Sequence, residues 1–184
     1  MRNVGEESRK TYLDKLSNGF FLKYMWSNGL DIGFSGYLPH VVPILHNAIG
    51  IDTNYPGYDG IILPFEDNSQ GYVYSSHCLE HISNYLQTIK EWYRVVRVGG
   101  YIITVVPHRD LYEKKLELPS RWNADHKRFY TPASLLKEFE DSLPINSFRV
   151  RHLQDNDKNH DYNTPVDKHS PGEYEIELVV EKIK

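Results

Sequence analysis

Cysteine is almost absent from this sequence: Cys78 is the only one among 184 residues. A single cysteine can form neither an intramolecular disulfide nor a cysteine-cluster zinc site, and it suits a reducing compartment. Long apolar runs are absent as well, since nowhere do about 18 apolar residues follow one another as a membrane-spanning helix requires. The first ten residues also lack the apolar core of a signal peptide. We therefore expect a cytoplasmic protein that does not enter a membrane.

A large excess of charge of one sign is missing too. The 21 lysines and arginines face 25 aspartates and glutamates, which gives a formal net charge of −4, and no long basic stripe occurs. Because nucleic-acid binders draw much of their affinity from contacts between basic side chains and phosphates, we expect no nucleic-acid partner. The chain is long enough for one hydrophobic core, so residues 1–184 are predicted to form a single domain.

Helical and strand-like patterns alternate along the chain. Three helices are predicted: 8–25, within an N-terminal lead-in of residues 1–26, then 83–97, and one that begins at Thr131-Pro132. Gly99-Gly100 is expected to end the helix predicted over 83–97. Short apolar runs predict strands at 29–33, 48–52, 71–76 and 101–106.

Two further strands are expected towards the end of the sequence, at 145–153 and 174–183, with a mobile polar surface loop at 154–173 between them. In the last strand Glu175 and Glu177 alternate with apolar residues, so one face of that strand is predicted to be partly exposed to water. Strands that alternate with helices predict an α/β fold. We expect a doubly wound, mostly parallel sheet with a closing antiparallel strand pair.

The clearest ligand-binding pattern is an acid and a small-residue turn that follow the first strand. Asp31 opens the segment Asp-Ile-Gly-Phe-Ser-Gly, which ends at Gly36. Small residues in this turn let the backbone come close to a ligand. Asp52 ends the next apolar run, roughly 20 positions later, where a carboxylate can accept both hydroxyls of a ribose. The pattern therefore predicts a nucleoside site at the carboxyl ends of the strands.

Several segments, in this order, resemble the class I S-adenosylmethionine-dependent methyltransferases, in particular the type 11-like subgroup with an LPF…HxLEH signature. The matching segments are 29–36, 50–52, 59–65, 75–81 and 94–103. The resemblance implies a Rossmann-like methyltransferase fold, S-adenosyl-L-methionine as the cofactor and methyl transfer as the activity. It also implies that Asp52 holds the ribose and that Asp59 meets the adenine. Cofactor contacts are implied for Asp31, Gly33, Ser35, Gly36, Asp52, Asp59, Gly60, Ile61, Ser76 and His77.

The sequence departs from this family in two places. Ser35 and Tyr37 stand where further glycines are common, and Pro39 and Pro43 interrupt the helix that would follow the first strand. In addition, only residues 53–58 separate the ribose acid from the adenine acid, so the second helix region is predicted to be shortened to a turn.

Histidines are the candidates for chemistry. Methyl transfer from a sulfonium needs mainly positioning, but an oxygen acceptor gains from a general base, and histidine is the usual choice. The candidate catalytic residues are His81, His126 and His77. His77 and His81 are four positions apart and would share a face if they lay on a helix. Asp125 beside His126 suggests an acid–histidine pair, although each histidine has an equally simple structural interpretation in capping, packing or shaping the pocket.

No metal site is predicted. The polar loop and its flanks hold candidate ligands, but these show no recognised ligand spacing, and a solvated loop is the simpler interpretation. The candidates are His152, His160, His169, Asp155, Asp157 and Asp161.

Three functions are compatible with these observations. The first is methyl transfer to an oxygen of a small molecule or saccharide acceptor, because residues 121–132 resemble a segment of such enzymes from bacterial surface-sugar pathways and no clamp for a nitrogen acceptor is present. The second is a methyltransferase-like cofactor-binding module with weak or no catalysis. The third is a nucleotide-dependent oxidoreductase on a related sheet, which leaves the LPF…HxLEH series without a role. The chain is expected to act as a monomer or homodimer.

Overall fold

The structure is a computed structural model that describes residues 2–184. Six strands form one sheet in the order β2-β1-β3-β4-β6-β5. The first four strands run parallel, whereas β6 is antiparallel to both β4 and β5. This arrangement confirms the predicted mostly parallel sheet with a closing antiparallel pair. The strands are β1 (Gly29–Ile32), β2 (Ala48–Ile51), β3 (Gln70–Ser76), β4 (Val96–Pro107), β5 (Phe148–Asn156) and β6 (Glu175–Lys182).

Helices cover both faces of the sheet, as the doubly wound prediction requires. The helices are α1 (Glu6–Ser17), α2 (Phe20–Tyr24), α3 (Tyr85–Val95) and α4 (Pro132–Ser142). Trp92 of α3 and Phe139 of α4 are fully buried in one hydrophobic core with β1, β3, β4 and β6. Phe20 and Tyr24 of α2 belong to a second core on the opposite face. Among residues 2–184, no helix is long and apolar enough to cross a membrane.

The lead-in is two helices rather than the single predicted helix over 8–25. Gly19 lies between them with a φ of 79°, a left-handed conformation that glycine adopts at little cost. The apolar spacing continues through the break because both helices bury side chains against the same face of the sheet, so the periodicity did not reveal it.

The prediction that Gly99-Gly100 ends a helix was wrong. Helix α3 ends at Val95, and both glycines lie inside β4. A Cβ added at Gly100 would lie 2.5 Å from the carbonyl oxygen of Gly71, at the start of the neighbouring β3. Glycine is therefore required here because two backbones approach each other closely.

The predicted water-exposed face of the last strand was also wrong. Glu175 and Glu177 are buried, because β6 lies inside the sheet and α1 covers this face. Glu177 Oε2 lies 2.7 Å from Lys15 Nζ of α1, and Glu177 Oε1 lies 3.0 Å from His152 Nε2. The neighbouring β5 runs over 148–156 instead of 145–153, so it includes the first residues assigned to the polar loop.

The shortened segments that follow β1 and β2 are confirmed. Within residues 2–184, turns and loops alone connect β1 to β2 and β2 to β3. The ring of Phe34 fills space beside the first connection, since a Cβ added at Gly36 or Gly50 would lie within about 2.5 Å of it.

Candidate active site

A cavity of about 280 Å³ opens at the carboxyl ends of β1 and β3. Six of the residues predicted from the sequence line it: Gly33, Ser35, Ser76, His77, His81 and His126. The other predicted residues do not: Asp31, Gly36, Asp52, Asp59, Gly60 and Ile61. The structure therefore brings the three candidate catalytic histidines to one cavity together with part of the predicted cofactor contacts.

Two of these lining residues, Gly33 and Ser76, leave the cavity wall open to a bound ligand. Gly33 has a φ of 74°, and a Cβ there would lie 2.7 Å from Cys78 Sγ, so no other residue fits this turn. Ser76 ends β3, and its buried Oγ has no hydrogen-bond partner. A buried hydroxyl of this kind is available to a bound polar group.

His77 is surrounded by carboxylates. Its Nε2 lies 2.9 Å from Glu175 Oε1, its Nδ1 lies 3.8 Å from Glu80 Oε1, and Glu7 is 3.9 Å away. Burial alone would lower the pKa of His77, but the hydrogen bond and charge of Glu175, with Glu80 and Glu7, raise it above its usual value. His77 has a φ of 50°, so it follows β3 in a left-handed turn and does not lie on a helix with His81.

His81 ends a short 3₁₀ turn, Leu79–His81. Its Nδ1 lies 3.2 Å from Asp125 Oδ2. Because an ionised carboxylate only accepts hydrogen bonds, Nδ1 is the ring nitrogen that donates to Asp125.

His126 is held in the same way, but by a different acid from the predicted Asp125. Its Nδ1 lies 3.0 Å from Glu113 Oε1, and both side chains are almost fully buried. Glu113 is itself fixed by hydrogen bonds from Ser120 Oγ and Arg121 N. Burial lowers the pKa of His126 below its usual value, although the carboxylates of Glu80 and Glu113 act in the opposite direction. The lowered pKa favours the neutral ring, in which Nδ1 carries the proton towards Glu113.

Asp31 is turned away from the cavity lining. It is buried, and its Oδ2 accepts a hydrogen bond of 2.6 Å from Ile44 N. Burial raises the pKa of Asp31 to about 7, although the Ile44 hydrogen bond opposes this shift. In this structure Asp31 holds the connection between β1 and β2 to the end of β1.

This raised pKa predicts a pH dependence of stability. Between about pH 4 and 7 the folded state binds the Asp31 proton and the unfolded chain does not, so the free energy of unfolding decreases as the pH rises through this window. Asp31→Asn should therefore show a weaker decrease than the wild type. Urea denaturation at pH 5 and pH 7.5 measures the difference, and parallel behaviour of the two proteins would contradict it.

The remaining predicted acids form local turns. Asp52 Oδ2 accepts a 2.9 Å hydrogen bond from Gly36 N, in the middle of the segment whose neighbours Ser35 and Tyr37 line the cavity. Asp59 Oδ1 accepts hydrogen bonds from Ile61 N at 2.9 Å and Ile62 N at 2.7 Å, and these bonds lower the pKa of Asp59. Their roles towards a cofactor stay predictions.

Sequence reasoning missed several residues of the cavity wall. Glu7 comes from α1, Tyr112 and Asn123 follow β4, and Tyr174 precedes β6. Tyr174 donates a 3.1 Å hydrogen bond to Glu7 Oε2, which connects α1 to the segment that precedes β6. Acidic residues are common in the first turn of a helix, so the sequence did not indicate that Glu7 lines a cavity.

Two aromatic residues of the segment 121–132 form hydrogen bonds without lining the cavity. Trp122 donates a hydrogen bond of 2.7 Å from Nε1 to Tyr112 O, and Tyr130 is buried with its hydroxyl 2.8 Å from Glu138 Oε2. Neither lines the cavity.

Comparison with known proteins supports the family resemblance. Residues 31–104 match the family model described as a methyltransferase domain. Over 76 residues, 41% of this chain, the sequence is 29% identical to phosphoethanolamine N-methyltransferase 2 of Caenorhabditis elegans. The chain spans only 17% of the length of that curated relative.

Solved structures show the same fold. One is a chain from the complex between the Haloferax volcanii Trm112 methyltransferase activator and a methyltransferase. The TM-score is 0.62 and the identity 16%, and the match covers 97% of this chain and 91% of that chain. Another is a SAM dependent methyltransferase from Aquifex aeolicus, with a TM-score of 0.59, 16% identity, and coverage of 97% and 94%. These matches confirm the predicted Rossmann-like methyltransferase fold.

Proposed function

We propose that this chain, whose residues 31–104 match the model of a methyltransferase domain, uses S-adenosylmethionine to transfer a methyl group to an oxygen of a small molecule or saccharide bound in the cavity. The observation that carries this proposal is the position of His81 and His126. Both rings line the cavity, and each has its Nδ1 occupied by a carboxylate, so that each Nε2 is free to act on an acceptor.

The residues of the cavity suit the proposed cofactor. S-adenosylmethionine supplies an electrophilic methyl group on a positively charged sulfur. Glu7 and Glu80 line the cavity and suit a cationic group, and Ser76 offers an unpartnered hydroxyl. Gly33 and Ser35 would lie beside the cofactor at the end of β1. Asp52 would accept the ribose hydroxyls, because it is partly exposed and bonded to the segment that forms this wall.

The chain's own contribution to the reaction is to position the acceptor and to remove its proton. With the cofactor bound, the acceptor oxygen would form the new bond to the methyl carbon, the carbon–sulfur bond would break with its electrons going to sulfur, and the hydroxyl proton would leave. His81 and His126 assist this loss of the proton, which positioned groups typically accelerate by about 10²–10⁴-fold.

The second candidate function is a cofactor-binding module without turnover. It is favoured by the altered turn after β1, where Phe34 occupies the space beside Gly36 and Gly50. Labelled-methyl transfer to a metabolite extract distinguishes the two functions: a labelled product supports the enzyme, whereas cofactor binding without any labelled product supports the module.

Calorimetry tests the cofactor directly. We expect S-adenosylmethionine and S-adenosylhomocysteine to bind and NAD not to bind. Asp52→Ala should weaken this binding at least tenfold, which corresponds to about 1.4 kcal/mol. Asp141→Ala, an exposed acid on α4, is the matched control and should bind like the wild type. Unchanged affinity of the folded Asp52→Ala variant would show that the ribose lies elsewhere.

A further inference from the structure

Three potential metal ligands meet at one wall of the cavity. Glu80, His81 and His126 each offer one ligand atom, and these atoms all lie within 4.8 Å of one another. All three residues line the cavity. Within residues 2–184 this is the one such group, so the histidines and aspartates of the polar loop do not gather in this way.

Glu80 has no hydrogen-bond partner of its own. The side chain is fully buried, and neither carboxylate oxygen accepts a hydrogen bond. The nearest basic atoms are His77 Nδ1 and His81 Nε2, each 3.8 Å from Oε1. A buried carboxylate in this state is costly, because burial removes its hydration and nothing replaces it. A cation bound at this position would remove that cost.

The two histidines are oriented as metal ligands usually are. His81 donates from Nδ1 to Asp125, and His126 donates from Nδ1 to Glu113, so the Nε2 atom of each ring is left to bind an ion. His81 Nε2 lies 3.8 Å from Glu80 Oε1. Metal-bound histidines almost always donate their other N–H to such a carboxylate or carbonyl group, which fixes the ring. The hydrogen bonds from the two histidines to Asp125 and Glu113, and the lack of a hydrogen-bond partner at Glu80, are independent observations that indicate the same site.

We propose that Glu80, His81 and His126 bind a divalent transition-metal ion such as Zn²⁺. Two imidazoles and one carboxylate are the ligand set of catalytic zinc and related sites, whereas Mg²⁺ and Ca²⁺ prefer oxygen ligands alone. Ligand atoms about 2.1 Å from an ion lie at most about 4.2 Å apart, so small side-chain rotations complete the geometry. The open cavity leaves further coordination positions on the ion.

The role of the ion rests on the proposed function, but its binding does not. Coordinated to the ion, the acceptor hydroxyl would lose its proton more easily, since a bound cation lowers the pKa of a coordinated oxygen. His81 and His126 would then assist the reaction as ligands. The same site would bind the ion whether or not the chain transfers methyl groups.

Metal titration of the chelator-treated protein tests the proposal. We expect one Zn²⁺ per chain, and Co²⁺ should give the visible absorption bands of an ion with nitrogen and oxygen ligands and no thiolate. His126→Ala and Glu80→Gln should abolish this stoichiometric binding. Glu113→Gln, which leaves the ligands in place, should weaken it by about 10–100-fold. Binding should also raise the thermal midpoint of the wild type.

His40→Ala is the matched control, because His40 is an exposed histidine outside the cavity lining. It should bind Zn²⁺ like the wild type. Absence of binding by the wild type overturns the proposal, and so does undiminished binding by His126→Ala and Glu80→Gln. Should those two variants fail to fold, a thiolate charge-transfer band in the wild type, or an affinity for Co²⁺ that is undiminished in Glu113→Gln, overturns it. Calorimetry of S-adenosylhomocysteine in chelator tests the proposed function separately.

Discussion

Replacing His126 by alanine should lower the rate of methyl transfer by about 100-fold or more. His126 is buried at the cavity wall, and its Nδ1 is held by Glu113. The variant removes this atom, whether it accepts the proton or holds the ion that activates the hydroxyl. Transfer of labelled methyl groups to an active metabolite extract measures the effect.

Binding of the cofactor separates this effect from general damage. The affinity of His126→Ala for S-adenosylhomocysteine should stay close to that of the wild type, because Asp52 and the turn after β1 are untouched. His40→Ala should retain full activity. If His126→Ala keeps more than about a tenth of the wild-type rate, His126 is not part of the reacting site.

Replacing Lys15 by methionine should destabilise the fold by about 3–5 kcal/mol. Lys15 and Glu177 are only 4% and 5% exposed, and their charged atoms are 2.7 Å apart. Burial by itself lowers the pKa of Lys15, but Tyr74, Glu177 and Glu175 raise it above its usual value, so the ammonium form is favoured. Without Lys15 the carboxylate of Glu177 stays buried beside Glu175. The thermal midpoint should decrease by roughly 10 °C.

A double substitution checks the reason for this loss. Lys15→Met with Glu177→Leu replaces the whole pair by apolar groups and should recover much of the stability, since a buried ion pair contributes little beyond the cost of leaving one partner alone. Lys137→Met is the matched surface control, because Lys137 and Asp141 form an exposed pair whose removal should barely change the midpoint. Equal midpoints for Lys15→Met and Lys137→Met would contradict the prediction.

The parallel part of the sheet could be predicted because its signal is local. Short apolar runs such as 101–106 are long enough to form a strand, and a parallel strand buried on both faces needs no alternation. The shortened connections were equally visible, since Pro39 and Pro43 exclude a regular helix by themselves. The break at Gly19 was hidden because apolar spacing is the same in one helix and in two that pack on one face.

Only part of the candidate site could be predicted, because its residues come from separate loops. His77 and His81 follow a strand, so their position at the carboxyl edge followed from the topology. The partner of His126 could not be predicted in this way, since Glu113 lies in another segment and the neighbouring acid in the sequence is Asp125. Glu175 and Glu177 appeared to face water because alternation reveals two faces of a strand but not what covers each face.

The place of β6 in the sheet determines when this protein can fold during its synthesis. β6 follows the other five strands in sequence but lies between β4 and β5, so β5 has no partner until residues 175–182 have left the ribosome. Until then the nascent chain presents β4 as an open edge, which is a template for aggregation. Tyr174 and Glu175 also complete the surroundings of His77. The site and the sheet are therefore finished by the same event, the release of residues 174–182, and a chain stalled before residue 174 would have neither.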